Sequence, residues 1–285
     1  MSPDAATGRL IVVATPIGNM GDLSTRAAAA LGAADVVACE DTRHSRKLFT
    51  VTGIPAPPLI AVHKDNEAQR CREIVKFIEE GKVVAIVSDA GTPAVSDPGQ
   101  RVVHAVAAAG YTVESIPGPS AVTTALAASG FTADRFVFEG FLPRKGPDRK
   151  HRVGLLAADE RTVVLYESPN RVAATLAELA KACGPERSAV VGRELTKVHE
   201  EYWRGSLGEL ATKAGDASPR GEFVIVIESA PDDVASHVHD DVIIAALTDA
   251  LELPGTSTRQ AADEVAETLR VARNRAYRLA VQIRS

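Results

Sequence analysis

Ser88-Asp89-Ala90-Gly91-Thr92-Pro93 follows directly on Val83-Val84-Ala85-Ile86-Val87. Five apolar, mostly β-branched residues in a row read as a strand buried on both faces, the mark of a parallel sheet. In such sheets a ligand sits just beyond the carboxyl ends of the strands. The hexapeptide lies at that end and supplies one carboxylate, two hydroxyls and a glycine that admits close approach to the backbone. Downstream, Asp97 is expected to cap a helix that holds Pro98 in its first turn. Gly, Asp and Pro are also what ordinary turns use, so the hexapeptide alone leaves its function open.

The neighbouring segments repeat the pattern. An apolar strand over residues 10–14 runs into the glycine-rich loop 15–22, and Ser24 caps a helix over 25–31. That loop is not the GxGxxG fingerprint, so no dinucleotide is inferred. A strand over 35–39 ends in Glu40-Asp41-Thr42-Arg43-His44, which reads either as a cleft wall or as a helix cap with first-turn acids. A strand over 59–63 precedes a helix over 67–80, with Asn66 as its cap and Gly81 as its stop. After the organising strand come a helix over 100–109, stopped by Gly110, and a strand over 112–116. This alternation with short connections predicts a doubly wound parallel sheet.

Pro117-Gly118-Pro119-Ser120 breaks the rhythm and marks a hinge, with Ser120 placed to cap a helix over 121–129. A second α/β half follows, with strands over 136–139, 162–166, 188–191, 200–203 and 223–228. Helices are expected near 150–158 and over 170–182 and 207–214. Residues 194–205 leave no room for a crossover helix, so this half is expected to be partly antiparallel. The expected divisions are therefore 8–117, 118–230, an acidic linker with a short helix over 231–254, and a helix-turn-helix-like unit over 255–285.

The 285 residues, 45% of them apolar, suffice for one large core or two medium ones. A formal net charge of −5 argues against a chain coated in positive charge, although nucleic-acid binding depends on local patches. Cys39, Cys71 and Cys183 are widely separated and odd in number, which favours reduced thiols over a disulfide framework or a zinc site. His237 and His239 are expected to be exposed, and no metal is expected. The N-terminal residues lack the basic start and apolar stretch of a signal peptide, and no apolar run is long enough to cross a bilayer. The expectation is a soluble cytoplasmic protein with no membrane partner.

Two basic elements stand out. Arg144, Lys145, Arg149, Lys150 and Arg152 form a loop-like stretch read either as phosphate contacts or as a solvated surface loop. Residues 256–285 hold six arginines, Arg270 among them, against three acids. Thr256 or Ser257 caps a first helix, and a second carries Tyr277, Leu279 and Ile283. Arg273, Arg275 and Arg278 on that second helix are candidate phosphate contacts; the other reading is a helical hairpin used for packing.

Taken together, residues 15–19, 40–43, 88–93, 97–99, 117–120, 139–143, 166–168 and 193–197 resemble, in order, the motifs of the tetrapyrrole-methylase superfamily of S-adenosylmethionine-dependent enzymes. The resemblance implies two α/β domains with the cofactor cleft between them, plus a small helical C-terminal extension. It implies cofactor contacts at Pro16, Asp89, Ala90, Gly91, Ser96, Asp97, Ser120, Ala121, Tyr166, Leu195 and Gly221. Leu195 would flank the adenine, residues 88–93 would cradle the methionine or ribose, and Asp89 would attract a sulfonium or ammonium. Within the superfamily the chain is most similar to members that methylate the ribose 2′-hydroxyl of a cytidine in 16S ribosomal RNA. The implied substrate is the 30S subunit at its decoding region, and the implied oligomer a homodimer. Ribose methylation needs in-line positioning, helped by a base or by a cation beside the developing alkoxide. Residue type and strand-end placement nominate Glu167 and Lys197 for those two roles. The alternatives are a tetrapyrrole ring-carbon methyltransferase and a non-catalytic, nucleic-acid-binding regulator.

Overall fold

The computed structural model describes residues 8–63, 65–217, 220–230, 240–253, 256–269, 271 and 273–284. His237, His239 and Arg270 lie outside them. The chain forms two compact units, a large one ending at Glu228 and a small one made of residues 158–160 and 229–285.

In the large unit a first sheet contains β1 (Arg9–Val13), β2 (Val36–Cys39), β3 (Leu59–Ala61), β4 (Val83–Val87) and β5 (Thr112–Ile116). Its order is β3-β2-β4-β1-β5 and every pairing is parallel. β4 occupies the residues read from its apolar run, and its alternation explains that run. Val84 and Ile86 enter one core, beneath α3 (Glu67–Glu79) and α4 (Gln100–Ala108), while Ala85 and Val87 enter the other, beneath α1 (Thr25–Ala33) and α2 (Thr42–Thr52). Each fully buried Val or Ile contributes about 1.5–3 kcal/mol.

The helix caps partly depart from the sequence expectation. Ser24 does cap α1, accepting from Ala27 N at 3.1 Å. Asp97 does not cap α4, which begins two residues beyond Pro98 with Gly99 (φ 125°) as its N-cap. The unsatisfied N–H groups of that helix are met from a distance. Buried Glu67 accepts from Gly99 N at 3.0 Å and from Arg101 N at 3.3 Å. Asn66 turns away from its own helix, accepting from His63 N and donating to Ala61 O.

The second sheet contains β6 (Phe136–Phe141), β7 (Thr162–Glu167), β8 (Ser188–Arg193), β9 (Glu201–Ser206) and β10 (Phe223–Ile227), in the order β6-β7-β10-β8-β9. β6 and β7 are parallel and the other pairs antiparallel, the mixed arrangement that the short 194–205 connection requires. α6 (Pro147–Ala157), α7 (Val172–Cys183) and α8 (Leu207–Ala217) share a core with one face. The other face receives α5 (Ala121–Ser129) and, from the first half of the chain, Ile17.

α6 starts at Pro147, so the basic stretch expected to be a loop is helical from its middle onward. In the small unit, α9 (Asp240–Glu252), α10 (Thr258–Thr268) and α11 (Arg273–Arg284) enclose one core that includes Ile243, Leu247, Ala262, Val265 and Leu279. The stretch expected as linker and short helix thus contributes a 13-residue helix to a three-helix unit. Ser257 opens α10 with a capping box closed by Gln260. No helix among the described residues is long and apolar enough to cross a membrane.

Candidate active site

β1 and β4 are neighbours at the middle of the first sheet, and their connections diverge, β1 leading to β2 and β4 to β5. That divergence is a topological switch point, where a crevice opens beyond the strand ends. The two loops are tied together there. Thr15 N donates to Gly91 O at 2.9 Å and Gly91 N to Thr15 O at 3.1 Å. Gly91 holds φ +80°, and a Cβ on it would lie 3.3 Å from the Ile17 side chain. Asp89 is fixed by accepting from Asp41 N at 3.1 Å, which joins the β2 and β4 ends.

A cavity of about 300 Å³ opens from this point across to the second sheet, at the small end of the ligand-site range. Ala90, Gly91, Ser96 and Asp97 form one wall, Ser120 and Ala121 a second, and Tyr166 and Glu167 a third. Ser120 was expected to cap α5, but its side chain makes no cap hydrogen bond. Ser120 and Ala121, at the start of α5, line the cavity, while the Val122 N–H of the same turn is taken by the Tyr166 hydroxyl. Burial, assisted by Asp89 and opposed by a hydrogen bond from Ser88, raises the Asp97 carboxyl above its usual range. Burial beside Asp97 pushes the Tyr166 phenol up to about 12.

The loop after β8 backs the wall at Glu222. Burial works to lower the Lys197 ammonium, but Glu194 Oε1 at 2.8 Å and Glu222 Oε2 at 3.0 Å outweigh it and leave it raised. Glu194 also accepts from Glu222 N at 2.9 Å. Gly221 holds φ +98°, and a Cβ there would lie 2.6 Å from the Glu194 carboxylate, so only glycine fits. Leu195 is buried against Gly192 and joins the core that contains Ile17 and Val224.

Glu167 is fully enclosed. Its Oε1 accepts from Ser168 N at 2.7 Å, and its Oε2 from Thr175 Oγ1 at 2.7 Å and Arg171 at 3.0 Å. Ser168 Oγ adds a fourth contact, donating to Oε1 at 3.4 Å, so both oxygens are engaged within the protein and Glu167 fixes the Ser168–Pro169 wall of the cavity.

Of the residues nominated from sequence, eight therefore line the cavity. Pro16 and Asp89 line a narrow adjoining recess with His44. Leu195, Gly221 and Lys197 support the wall from behind, Lys197 through Glu222, which does face the cavity. Phe141, Val95 and Val224 also line it and were not nominated.

The cationic candidates separate similarly. Arg144, Lys145 and Lys150 are exposed. Arg149 is turned inward, donating to Glu178 at 2.7 Å, Thr175 at 2.8 Å and Pro143 O at 3.0 Å, so it braces α6 against α7. Arg152 pairs with Glu139. In the small unit Arg273 pairs with Asp263 and Arg275 with Asp240, while Arg278 is exposed. A basic surface missed in the sequence is the outer side of α2, where Arg43, His44, Arg46 and Lys47 are all exposed. Its signal was the RHSRK run directly after the β2 strand end.

The donor set suits a zwitterionic nucleoside such as S-adenosylmethionine. Carboxyl groups at Asp89 and Asp97 match a cationic centre, the Ser120 hydroxyl at the start of α5 matches a carboxylate or ribose hydroxyl, and Gly91 admits close approach to the backbone.

This fold and cleft define a class. Residues 9–211 match the family model described as Tetrapyrrole (Corrin/Porphyrin) Methylases. A solved structure of uroporphyrin-III C-methyltransferase from Thermus thermophilus, complexed with S-adenyl homocysteine, is similar in fold with a TM-score of 0.53. It is 21% identical and covers 76% of this chain and 96% of its own. The sequence relatives are more specific. "Ribosomal RNA small subunit methyltransferase I" of Synechocystis is 42% identical over 97% of this chain and 98% of its own length. The Thermotoga maritima protein of the same name is 41% identical over 98% of its own length but 77% of this chain. The chain belongs to the ribosomal RNA small subunit methyltransferase I family of the tetrapyrrole methylases.

Proposed function

We propose that this chain transfers a methyl group from S-adenosylmethionine to the 2′-hydroxyl of a cytidine ribose in 16S ribosomal RNA. Its substrate is the assembled 30S subunit near the decoding region, and it works as a homodimer in the cytoplasm. The observation that carries the reading is the cavity, whose lining suits a nucleoside cofactor; exposed cations follow on α2, whose His44 lines the recess with Asp89, and at 144–145, just beyond the lining residue Phe141. Those cations suit phosphates, which supply affinity and orientation but little sequence choice.

Bound cofactor supplies an activated methyl on a sulfonium. Asp89, Asp97 and the α5 N-terminus orient it, and Tyr166 with Val224 keeps water from its flank. Asp97 takes the place of Glu167 as the proton acceptor. It faces the cavity, and burial gives its carboxyl a greater proton affinity than an exposed aspartate. Glu167 and Lys197 act by positioning the wall residues they hold.

The test is methyl transfer from labelled S-adenosylmethionine to 30S subunits lacking the modification, with naked RNA and a tetrapyrrole precursor alongside. Label that blocks alkaline cleavage at one cytidine is expected. Label in the tetrapyrrole would overturn the substrate, and light scattering that reports a monomer would overturn the dimer.

A further inference from the structure

Phe141 ends an edge strand of the second sheet, and the residue is 56% exposed at the margin of the cavity. Its orientation is set by an irregularity in β6. Phe138 lies opposite Val164, but Phe141 lies opposite Tyr166, so one extra residue sits in β6 between them. In regular alternation, residues 138 and 141 would point to opposite faces. The bulge instead puts both rings against Tyr166, at centroid distances of 4.9 and 5.5 Å. It moves Phe141 from the α6–α7 side of the sheet to the cleft side, and Leu142 takes the buried position among α6 and α7.

The bulge is itself fixed. Gly140 adopts φ +63°, and a Cβ on it would lie 3.1 Å from Ser96 Oγ. The facing loop holds Ala94 and Ser96 at φ +68° and +64°, a conformation that non-glycine residues adopt only under strain. Bulges that re-aim a side chain are concentrated beside functional sites. An aromatic ring brought out of a core and left half in water loses burial energy unless something covers it. Arg144 and Lys145, both exposed, follow three and four residues later, within about 10–14 Å of chain.

An aromatic platform with cations at its edge fits an unpaired nucleotide, the base stacking on the ring and the phosphates meeting the cations. We infer that Phe141 is the stacking platform for the base of an unpaired RNA nucleotide at the cleft mouth, with Arg144 and Lys145 holding its flanking phosphates. The inference rests on the RNA reading above and adds the contact that receives the substrate. Stacking of this kind accepts any base, so the platform supplies affinity and leaves the choice of cytidine to other contacts.

The experiment compares wild type with Phe141→Ala and Phe141→Trp. It measures KM and kcat on 30S subunits lacking the methyl group, 30S binding in the presence of S-adenosylhomocysteine, and the Kd of S-adenosylhomocysteine alone. Phe141→Ala is expected to raise KM by about ten- to a hundredfold, the scale of one missing base stack. Cofactor affinity should be unchanged, and Phe141→Trp should restore KM. An unchanged KM in an active Phe141→Ala enzyme would overturn the platform alone. A Kd for S-adenosylhomocysteine weakened by the same factor would assign the ring to the cofactor and also overturn it. A wild type that neither binds nor methylates 30S subunits would overturn the RNA reading and the platform with it.

Discussion

At position 97 a carboxyl group is half-buried, with the like charge of Asp89 nearby, and both effects raise its proton affinity. The folded protein therefore holds the Asp97 proton to higher pH than the unfolded chain does. Between the two pKa values the native state binds more protons, so stability falls as pH rises through that window. Below the unfolded pKa the penalty is absent, and above the folded one it is complete. Asp97→Asn removes the ionisation, so it should raise Tm at neutral pH and flatten the loss of stability on leaving acid. With the proposed proton acceptor gone, the variant should also lose kcat by about 10²–10⁴ at saturating cofactor, and its cofactor affinity should weaken as well because Asp97 faces the cofactor. Thermal melts from pH 4 to 8 with single-turnover rates check both parts; a normal rate in Asp97→Asn would remove Asp97 from the chemistry. At this scale the sequence was informative about where residues lie and less so about what they do. Asp97 read as a helix cap and a cofactor contact, and Glu167 as an acid at a strand end. Their difference arises from Arg171 and Thr175, four and eight residues beyond Glu167, which close around its side chain. At Asp97 the hydrogen bond from Ser88 does not offset the burial, and the carboxyl keeps its raised proton affinity.

Among the elements, α2 shows how a charge run gains meaning from its position. Ser45, Leu48 and Phe49 are buried while Arg43, His44, Arg46 and Lys47 are exposed, so the sequence alternation leaves one basic side facing water. The helix starts at the β2 end, beside the recess that His44 shares with Asp89. Reversing two charges there, Arg46→Glu with Lys47→Glu, should raise KM for 30S subunits and lower the salt slope of RNA binding by about two. Binding of S-adenosylhomocysteine should be unaffected, because both side chains are exposed and neither lines the cavity. Titration of RNA affinity against salt checks it, and an unchanged slope would move the RNA interface elsewhere. The central strands β1, β2 and β4 were legible because each apolar run matches a strand buried on both faces, while the edge strands β3 and β5 followed from the alternation with helices. The β6 bulge and the Glu67 hydrogen bonds to α4 were not, since each depends on a partner far away in sequence: Ser96 for Gly140, and Gly99 for Glu67.

For the whole molecule, each compact unit closes its own core. Core residues of the two α/β sheets all precede residue 228, and those of the helical unit all lie between Ile243 and Ala280. An α/β unit of more than 200 residues is large enough to be stable alone. The family already contains a shorter form, since the Thermotoga relative matches over 98% of its own length yet covers only 77% of this chain. The arginines that made the C-terminal helices resemble a recognition element are largely engaged within the unit, Arg273 by Asp263 and Arg275 by Asp240. A chain ending at residue 229 should therefore fold and bind S-adenosylhomocysteine within about twofold of the full protein. Every phosphate left without its cation lowers the salt slope by about one, so with Arg273 and Arg275 already paired the slope should fall by no more than that. Calorimetry and salt titrations of the shortened and full chains make the comparison. A fall of about three or more would mean that these ion pairs open on RNA and that the helical unit is the main phosphate-binding surface. A fall of about one or less would assign that surface to the α/β unit, around α2 and the 144–145 loop.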